Sequence, residues 1–187
     1  GLAVGATDRT LVDLRSGTMV DLTLRPGRFF DGHARLPGER LLMIDRAMHF
    51  VGAGAADLGV VRGEKDVDAA DWFFKAHFFQ DPVQPGSLGV DGMLQLLQFF
   101  MIDAGMTDSG DGRTLRFEPV LLDAPISWTY RGQVTPHHVL VTTVVEITAV
   151  GADCLRPFAI GTGSLWCDGL RIHEVRDIGM RLVRDPD

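Results

Sequence analysis

The sequence predicts an α+β fold in which an antiparallel sheet curls around one long buried helix. Residues 88–104 are apolar on nearly every side of a helix, and such a helix is buried on every side. Beyond residue 112, strand-like segments follow one another on short turns, which favours antiparallel pairing. The length of 187 residues and the hydrophobic fraction of 45% are typical of a globular domain. We therefore expect an N-terminal arm over residues 1–18 and one domain over residues 19–187.

Four segments define the first half of that domain. Residues 20–24 alternate between apolar and polar side chains, which predicts a half-buried strand ended by Pro26-Gly27. The apolar run 41–44 predicts a buried strand, and another strand is expected over residues 57–62. Residues 71–87 are rich in aromatic side chains and broken by two prolines, which predicts an aperiodic segment.

The long helix and the later strands form the second half. Ser87 is the expected N-cap of the helix, and Gly105 is its expected stop. The strands after the helix are predicted over residues 114–122, 126–131, 139–150, 158–166 and 170–175.

Composition excludes several classes of protein. The formal charge of −7 and the lack of a basic run argue against a nucleic-acid partner. The most apolar stretch is broken by glycine and polar residues, so no membrane span is expected. Cys154 and Cys167 lack disulfide or zinc spacing, which predicts reduced thiols in a cytoplasmic protein. His137 and His138 lie in a predicted turn without a matching cysteine or carboxylate, so neither a metal nor another cofactor is expected.

Two titratable residues lie among aromatic, proline, glycine and aliphatic neighbours, which shift pKa values. Asp91 occurs in a helix that is otherwise apolar, so its carboxylate must be paired, protonated or functional. Asp91 could instead only complement the helix dipole, and His77 could be a satisfied core histidine. Gln95 lies one turn after Asp91 on the same face, within hydrogen-bonding reach. Gly86 leads into the helix start, where unpaired N–H groups suit an oxyanion.

Residues 72–97 read WFFKAHFFQDPVQPGSLGVDGMLQLL. This stretch resembles the active-site region of the β-hydroxydecanoyl-ACP dehydratase family: His77 and Asp91 are 14 positions apart, with Asp-Pro-Val and Pro-Gly between them and a glutamine four residues after the acid. The resemblance extends over residues 38–180. The sequence of residues 72–97 is most similar to dehydratase domains of polyunsaturated fatty acid synthases and polyketide-type megasynthases.

The resemblance implies a hot-dog fold and the dehydration of 3-hydroxyacyl-ACP to trans-2-enoyl-ACP. His77 is implied to be the general base that takes the α proton, and Asp91 the acid that protonates the leaving hydroxyl. The thioester oxygen is implied to accept from the backbone of Gly86, assisted by Val83, with Gln95 orienting Asp91.

Further expectations follow from the same resemblance. Phe78 and Phe79 are implied to exclude water and to hold the acyl chain. The implied partners are an acyl carrier protein bearing the substrate and a second hot-dog unit, either in a homodimer or in tandem. Ser87 stands where the bifunctional members carry cysteine, and Leu94 where they often carry tryptophan, so the isomerase activity of those members is not implied. Two alternatives stay open, a hot-dog acyl thioesterase and a non-catalytic acyl-ACP-binding module.

Overall fold

The computed structural model describes residues 18–108, 114–121, 125–153 and 156–184, so the predicted N-terminal arm lies outside them up to residue 17. One long helix lies against an antiparallel sheet, as the sequence predicted. The helices are α1 (Gly27–Phe30), α2 (Trp72–Ala76) and α3 (Gly86–Asp103), with a 3-10 turn over Glu39–Leu41. The strands are β1 (Val20–Asp21), β2 (Arg46–Phe50), β3 (Val60–Asp66), β4 (Leu115–Phe117), β5 (Ser127–Tyr130), β6 (Leu140–Asp153), β7 (Arg156–Cys167) and β8 (Leu170–Arg184).

The sheet runs in the order β1-β2-β3-β6-β7-β8-β4, and β5 pairs with β8 at the same edge as β4. Each of these pairings is antiparallel. Register shifts between Ile147 and Ala149 in β6, and between Gly161 and Gly163 in β7, bend the central strands. The sheet thereby curls around α3, which contacts β2, β3, β6, β7 and β8.

Glycines of the sheet face helix α3 and leave no room for a side chain between helix and sheet. A Cβ atom on Gly63 would lie 2.8 Å from Leu96 Cδ2, and one on Gly163 would lie 2.5 Å from Met93 Sδ. The helix residues from Met93 to Leu97 are all buried. The helix is therefore the centre of the core, and its few polar side chains are held in place by the apolar residues around them.

The predicted strand over residues 41–44 is wrong. Leu42, Met43 and Ile44 are buried as an apolar run should be, but strand β2 begins only at Arg46. The backbone of this run is satisfied by a side chain instead of a neighbouring strand, since Met43 N–H donates to Gln95 Oε1 at 2.8 Å. Burial without strand pairing is a tertiary effect that periodicity does not reveal.

Other boundaries also differ from prediction. Helix α3 begins at Gly86 with Pro85 as its N-cap residue, so Ser87 lies in the first turn and is not the N-cap. The segment over residues 71–87 is not wholly aperiodic, because its prolines follow helix α2 and do not interrupt it.

The first strand is also shorter than predicted, because Asp21 accepts hydrogen bonds from the N–H and hydroxyl of Thr23 and turns the chain. Helix α1 follows directly after Pro26, where no helix is predicted from the sequence. The strand expected over residues 57–62 runs instead over Val60–Asp66. Within the described ranges, no helix is both long and apolar enough to cross a bilayer.

Candidate active site

His77 lies at the C-terminal end of helix α2 and is half-buried. Its Nδ1 atom is 3.1 Å from the carbonyl oxygen of Val83. A carbonyl group only accepts hydrogen bonds, so this contact places the ring hydrogen of a neutral His77 on Nδ1. The Nε2 atom then carries the free lone pair, which is the arrangement a general base requires.

The loop between α2 and α3 is held by its backbone. Gln80 adopts a left-handed conformation with φ of 61°, and Val83 N–H donates to the carbonyl of Asp81 at 2.9 Å. Val83 itself is buried, which fixes the carbonyl that binds His77. By contrast, Phe78 is 56% exposed and Phe79 is 92% exposed. The loop therefore positions its polar backbone while its aromatic side chains face solvent.

Asp91 lies on helix α3, where its Oδ2 atom accepts from Gln95 Nε2 at 2.6 Å, the contact that the spacing predicted. Burial raises the pKa of Asp91 above its ordinary value, and the hydrogen bond from Gln95 opposes part of that rise. The carboxyl group therefore stays protonated to higher pH than an exposed aspartate. A group with this property is suited to act as a general acid.

Gln95 is 1% exposed and is fixed by backbone on two sides. Its Oε1 accepts from Met43 N–H, and its Nε2 donates to the carbonyl of Leu41 at 2.7 Å. Because Met43 N–H can only donate, these contacts define which end of the amide faces Asp91. Gln95 therefore links the orientation of the acid to the chain over residues 41–43.

The start of helix α3 forms the wall of an apolar cavity of about 420 Å³. The helix has no side-chain cap, and the first N–H groups of a helix lack acceptors within it. The lining residues come from the first helical turns, from β5 and from β8, and they are Gly86, Ser87, Val90, Trp128, Tyr130 and His173. Gly86 is thus placed to donate its N–H to an oxyanion in this cavity.

Asp91 lines a different cavity, of about 280 Å³, together with Gln95, Gln98 and residues of the 33–41 loop and the β4 region. His77 is not among its lining residues. Gly86 and Asp91 are five positions apart on the helix, so they are about 140° apart around the helix axis. Within one chain, the structure joins His77 to Val83 in the loop and places Asp91 and Gln95 in a cavity that neither His77 nor Gly86 lines.

His138 lies close to a cysteine and a carboxylate, contrary to the prediction from spacing. Its ligand atom lies within 4.8 Å of those of Cys167 and Asp168, because the β7–β8 hairpin turn meets the start of β6. The lone pairs of this cluster are engaged: His138 Nδ1 accepts from Thr135 N–H, and the Asp168 carboxylate accepts from Leu140 N–H. Burial is the main cause, and the charge of the nearby Asp168 a smaller one, that raises the pKa of Cys167 to about 11. The cluster could offer three metal ligands only after the Cys167 thiol lost its proton.

One residue of the apolar cavity is not predicted from the sequence. In the sequence His173 is one of several scattered histidines, but in the structure it is 4% exposed and packs beside Tyr130 with ring centroids 5.2 Å apart. Its position in β8, opposite Tyr130 of β5, depends on a strand register that the sequence pattern does not reveal.

The FabA-like domain family matches residues 36–176, which is most of the chain. The chain belongs to the FabA-like domain family. This finding confirms the family predicted from the His77 and Asp91 region, and the extent of the match agrees with the predicted 38–180 to within a few residues.

The FabA-like domain is also similar to a polyunsaturated fatty acid synthase polypeptide of Thraustochytrium sp. (strain ATCC 26185 / S-3), with 38% identity over 134 residues. The aligned part is 71% of this chain but 9% of that relative's length. Among solved structures, the dehydratase heterocomplex ApeI:P from Xenorhabdus doucetiae aligns with a TM-score of 0.51 and 12% identity, covering 81% of this chain and 87% of that one. A probable thioesterase from Bartonella henselae aligns with a TM-score of 0.47 and 14% identity, covering 66% of this chain and 91% of that one. The fold is the hot-dog fold, and the domain is of the dehydratase kind.

Proposed function

We propose that this FabA-like domain converts 3-hydroxyacyl thioesters, carried by an acyl carrier protein, to trans-2-enoyl thioesters. The observation that carries the proposal is the presence of two groups suited to opposite proton transfers. The Val83 carbonyl fixes the His77 tautomer with a free Nε2 lone pair, and burial raises the pKa of Asp91, which favours its protonated form. Elimination of water needs one group of each kind.

In the proposed reaction, His77 Nε2 takes the proton from C2 of the substrate. The electron pair moves toward the thioester oxygen, which accepts a hydrogen bond from Gly86 N–H at the helix start. Asp91 then gives its proton to the 3-hydroxyl group as the C3–O bond breaks, so water leaves and a C2=C3 double bond forms. The His77 imidazolium then gives its proton to solvent, and the Asp91 carboxylate takes a proton from solvent, which restores both groups.

Val83 takes part in this scheme through its carbonyl. Its N–H already donates to the Asp81 carbonyl, so it supports the base and not the oxyanion. Gln95 holds the Asp91 carboxyl through its two backbone contacts. Phe78 and Phe79 would exclude water from the site once a second unit covers them.

A complete site in this proposal needs two hot-dog units. The thioester oxygen and the 3-hydroxyl of one substrate are two carbons apart, whereas Gly86 and Asp91 of one chain line different cavities. The loop next to His77 exposes two aromatic side chains, Phe78 by 56% and Phe79 by 92%. Exposed aromatic patches are typical of contact surfaces. We therefore propose that a second unit, in a homodimer or a tandem pair, supplies Asp91 to the His77 of its neighbour.

The similarity to a polyunsaturated fatty acid synthase polypeptide supports a place in fatty acid, polyunsaturated fatty acid or polyketide synthesis. Such a domain receives its substrate on the phosphopantetheine thioester of an acyl carrier protein. With no disulfide spacing in the sequence, we place the reaction in the cytoplasm.

The test is incubation of the protein with a 3-hydroxyacyl thioester, followed by mass spectrometry for the loss of one water. We expect the enoyl product with wild type and with His137→Ala, an exposed histidine outside both cavities, and its absence with His77→Ala. Release of free acid and thiol would instead identify a thioesterase. A folded protein that binds acyl thioesters without changing them would be a non-catalytic module.

A further inference from the structure

We propose that His173 binds the carrier side of the thioester by donating a hydrogen bond to the first amide carbonyl beyond the sulfur. This inference rests on the proposed function, because that function places the thioester oxygen at Gly86. It adds a substrate-binding residue, on strand β8, to the reacting groups on the loop and the helix. It also assigns a ligand to the apolar cavity at the helix start.

The position of His173 is unusual for a polar side chain. The residue is 4% exposed and lies between Tyr130 of β5 and Leu165 of β7 in the sheet register. Its Nδ1 atom is buried and has no hydrogen-bond partner within the described ranges. The same atom lies 3.2 Å from where Gly89 would carry a Cβ atom, so the ring packs under the first turns of helix α3. A buried N–H without an acceptor costs stability, so the missing partner of Nδ1 decides which ring nitrogen carries the hydrogen.

The protonation of the ring follows from this environment. Burial lowers the pKa of His173 below its ordinary value of 6.5, so the ring is neutral at pH 7 and carries one hydrogen. On Nδ1 that hydrogen would face the Gly89 backbone without an acceptor, which is more costly than leaving a lone pair there. The hydrogen therefore belongs on Nε2, and the ring is a hydrogen-bond donor in the wall of the cavity.

The cavity has the form of an entry from the surface. Its walls are mostly apolar, and polar groups lie at the helix start, at His173 and on the rings of Trp128 and Tyr130. Its outer residues Ser87, Trp128 and Tyr130 are exposed, and Gly86 lies in the same cavity. Its volume of about 420 Å³ is within the ordinary range for sites of small ligands. A chain that enters here meets apolar walls, one buried donor, and then the helix start.

The carrier arm of a thioester matches these features better than the acyl chain. The arm must run from the protein surface to the thioester carbon, whereas a long acyl chain is most stable when it is fully buried. Two methylene groups separate the sulfur from an amide, whose carbonyl can accept a hydrogen bond from the His173 ring N–H in the cavity wall. A saturated acyl chain offers no acceptor and would leave the imidazole donor unpaired.

The experiment compares two thioesters of the same 3-hydroxyacyl group, an N-acetylcysteamine thioester with the amide and an S-butyl thioester without it. His173→Phe keeps an aromatic ring but loses the donor. We expect it to lower kcat/KM about tenfold for the amide thioester, as for one lost hydrogen bond, and to leave the butyl thioester unchanged. His173→Gln keeps an N–H donor and should retain part of the preference. An equal loss with both thioesters would overturn the proposal and leave His173 a packing residue.

A binding measurement separates this proposal from the proposed function. Octanoyl-N-acetylcysteamine and S-butyl octanethioate lack the 3-hydroxyl group, so their dissociation constants do not depend on turnover. We expect His173→Phe to weaken only the amide ligand, and the ¹H and ¹⁵N signals of His173 Nε2 to move when that ligand binds. If these binding results are obtained but no dehydration is seen, the proposed enzyme activity is contradicted and the role of His173 in binding is not. If neither ligand binds wild type, or if His173→Phe weakens the binding of both ligands by the same factor, the assignment of the cavity is wrong.

Discussion

The loop that carries His77 and the helix that carries Asp91 present their functional groups in opposite ways. The loop fixes His77 through a backbone carbonyl and leaves Phe79 92% exposed. Helix α3 buries most of its length and fixes Asp91 through the buried side chain of Gln95. The helix half of the site is thus complete in one chain, whereas the loop half leaves apolar surface for another unit to cover.

The largest effects should come from the two reacting groups. His77→Ala and Asp91→Asn should each lower kcat about 100-fold or more, as expected when a general base or acid is removed. Their stabilities should differ, because His77 is half-buried in a loop whereas Asp91→Asn removes a carboxyl group that burial disfavours in its charged form. Thermal unfolding at pH 8 should show Asp91→Asn at or above wild type. A strong loss of stability in that variant would show that the Asp91 charge supports the fold.

The next effect tests the exposed loop surface. Phe79→Asp should weaken association with the second unit by about 2 kcal/mol, or roughly 30-fold in the dissociation constant, as for a buried aromatic contact residue. Val51→Asp is the matched control, since Val51 is 84% exposed in the turn between β2 and β3. Light scattering across a dilution series gives the dissociation constants. If both variants associate as tightly as wild type, Phe79 is outside the contact.

A smaller effect tests the helix half. Gln95→Met removes the amide that positions Asp91 and should lower kcat about tenfold. Because the Gln95 hydrogen bond lowers the pKa of Asp91, its removal raises that pKa, and the acid stays protonated to higher pH. The alkaline limb of the pH–rate profile should therefore move to higher pH. Gln98→Met, one turn further on, should leave the limb in place, and a limb that moves equally in both variants would contradict the role of Gln95.

The smallest effect on catalysis should come from the glycines under the helix. Gly63→Ala places a methyl group within 2.8 Å of Leu96 and should lower the free energy of unfolding by about 1–3 kcal/mol, with kcat per folded site unchanged. Gly38→Ala has open space around it and should be neutral or slightly stabilising. Urea denaturation gives both values. Equal stabilities would mean that the helix does not press on β3 as the structure shows.

The features predicted correctly from the sequence are those that depend only on residues close together in the chain. The helix follows from an apolar run without a polar face, and the His77 and Asp91 motif lies within 26 consecutive residues, 72–97. The contact between Asp91 and Gln95 follows from helical spacing alone. These features need no knowledge of the sheet.

The features that were missed depend on distant residues. The run 41–44 is buried without becoming a strand because Gln95, more than 50 residues later, binds its backbone. His173 enters the cavity through the pairing of β5 with β8, and His138 meets Cys167 through the register of β6 with β7. Burial of a single histidine leaves no periodic trace in the sequence, so only the folded sheet reveals it.

Mixing two inactive variants tests the central claim most directly, namely that each site takes His77 from one unit and Asp91 from another. His77→Ala and Asp91→Asn are refolded together in equal amounts, and dehydration is compared with that of each variant alone. Random pairing gives one intact site in half of the dimers, so about one quarter of wild-type activity should return. No recovery, in a mixture shown by mass spectrometry to contain the heterodimer, would contradict the account and place both groups of a site in a single chain.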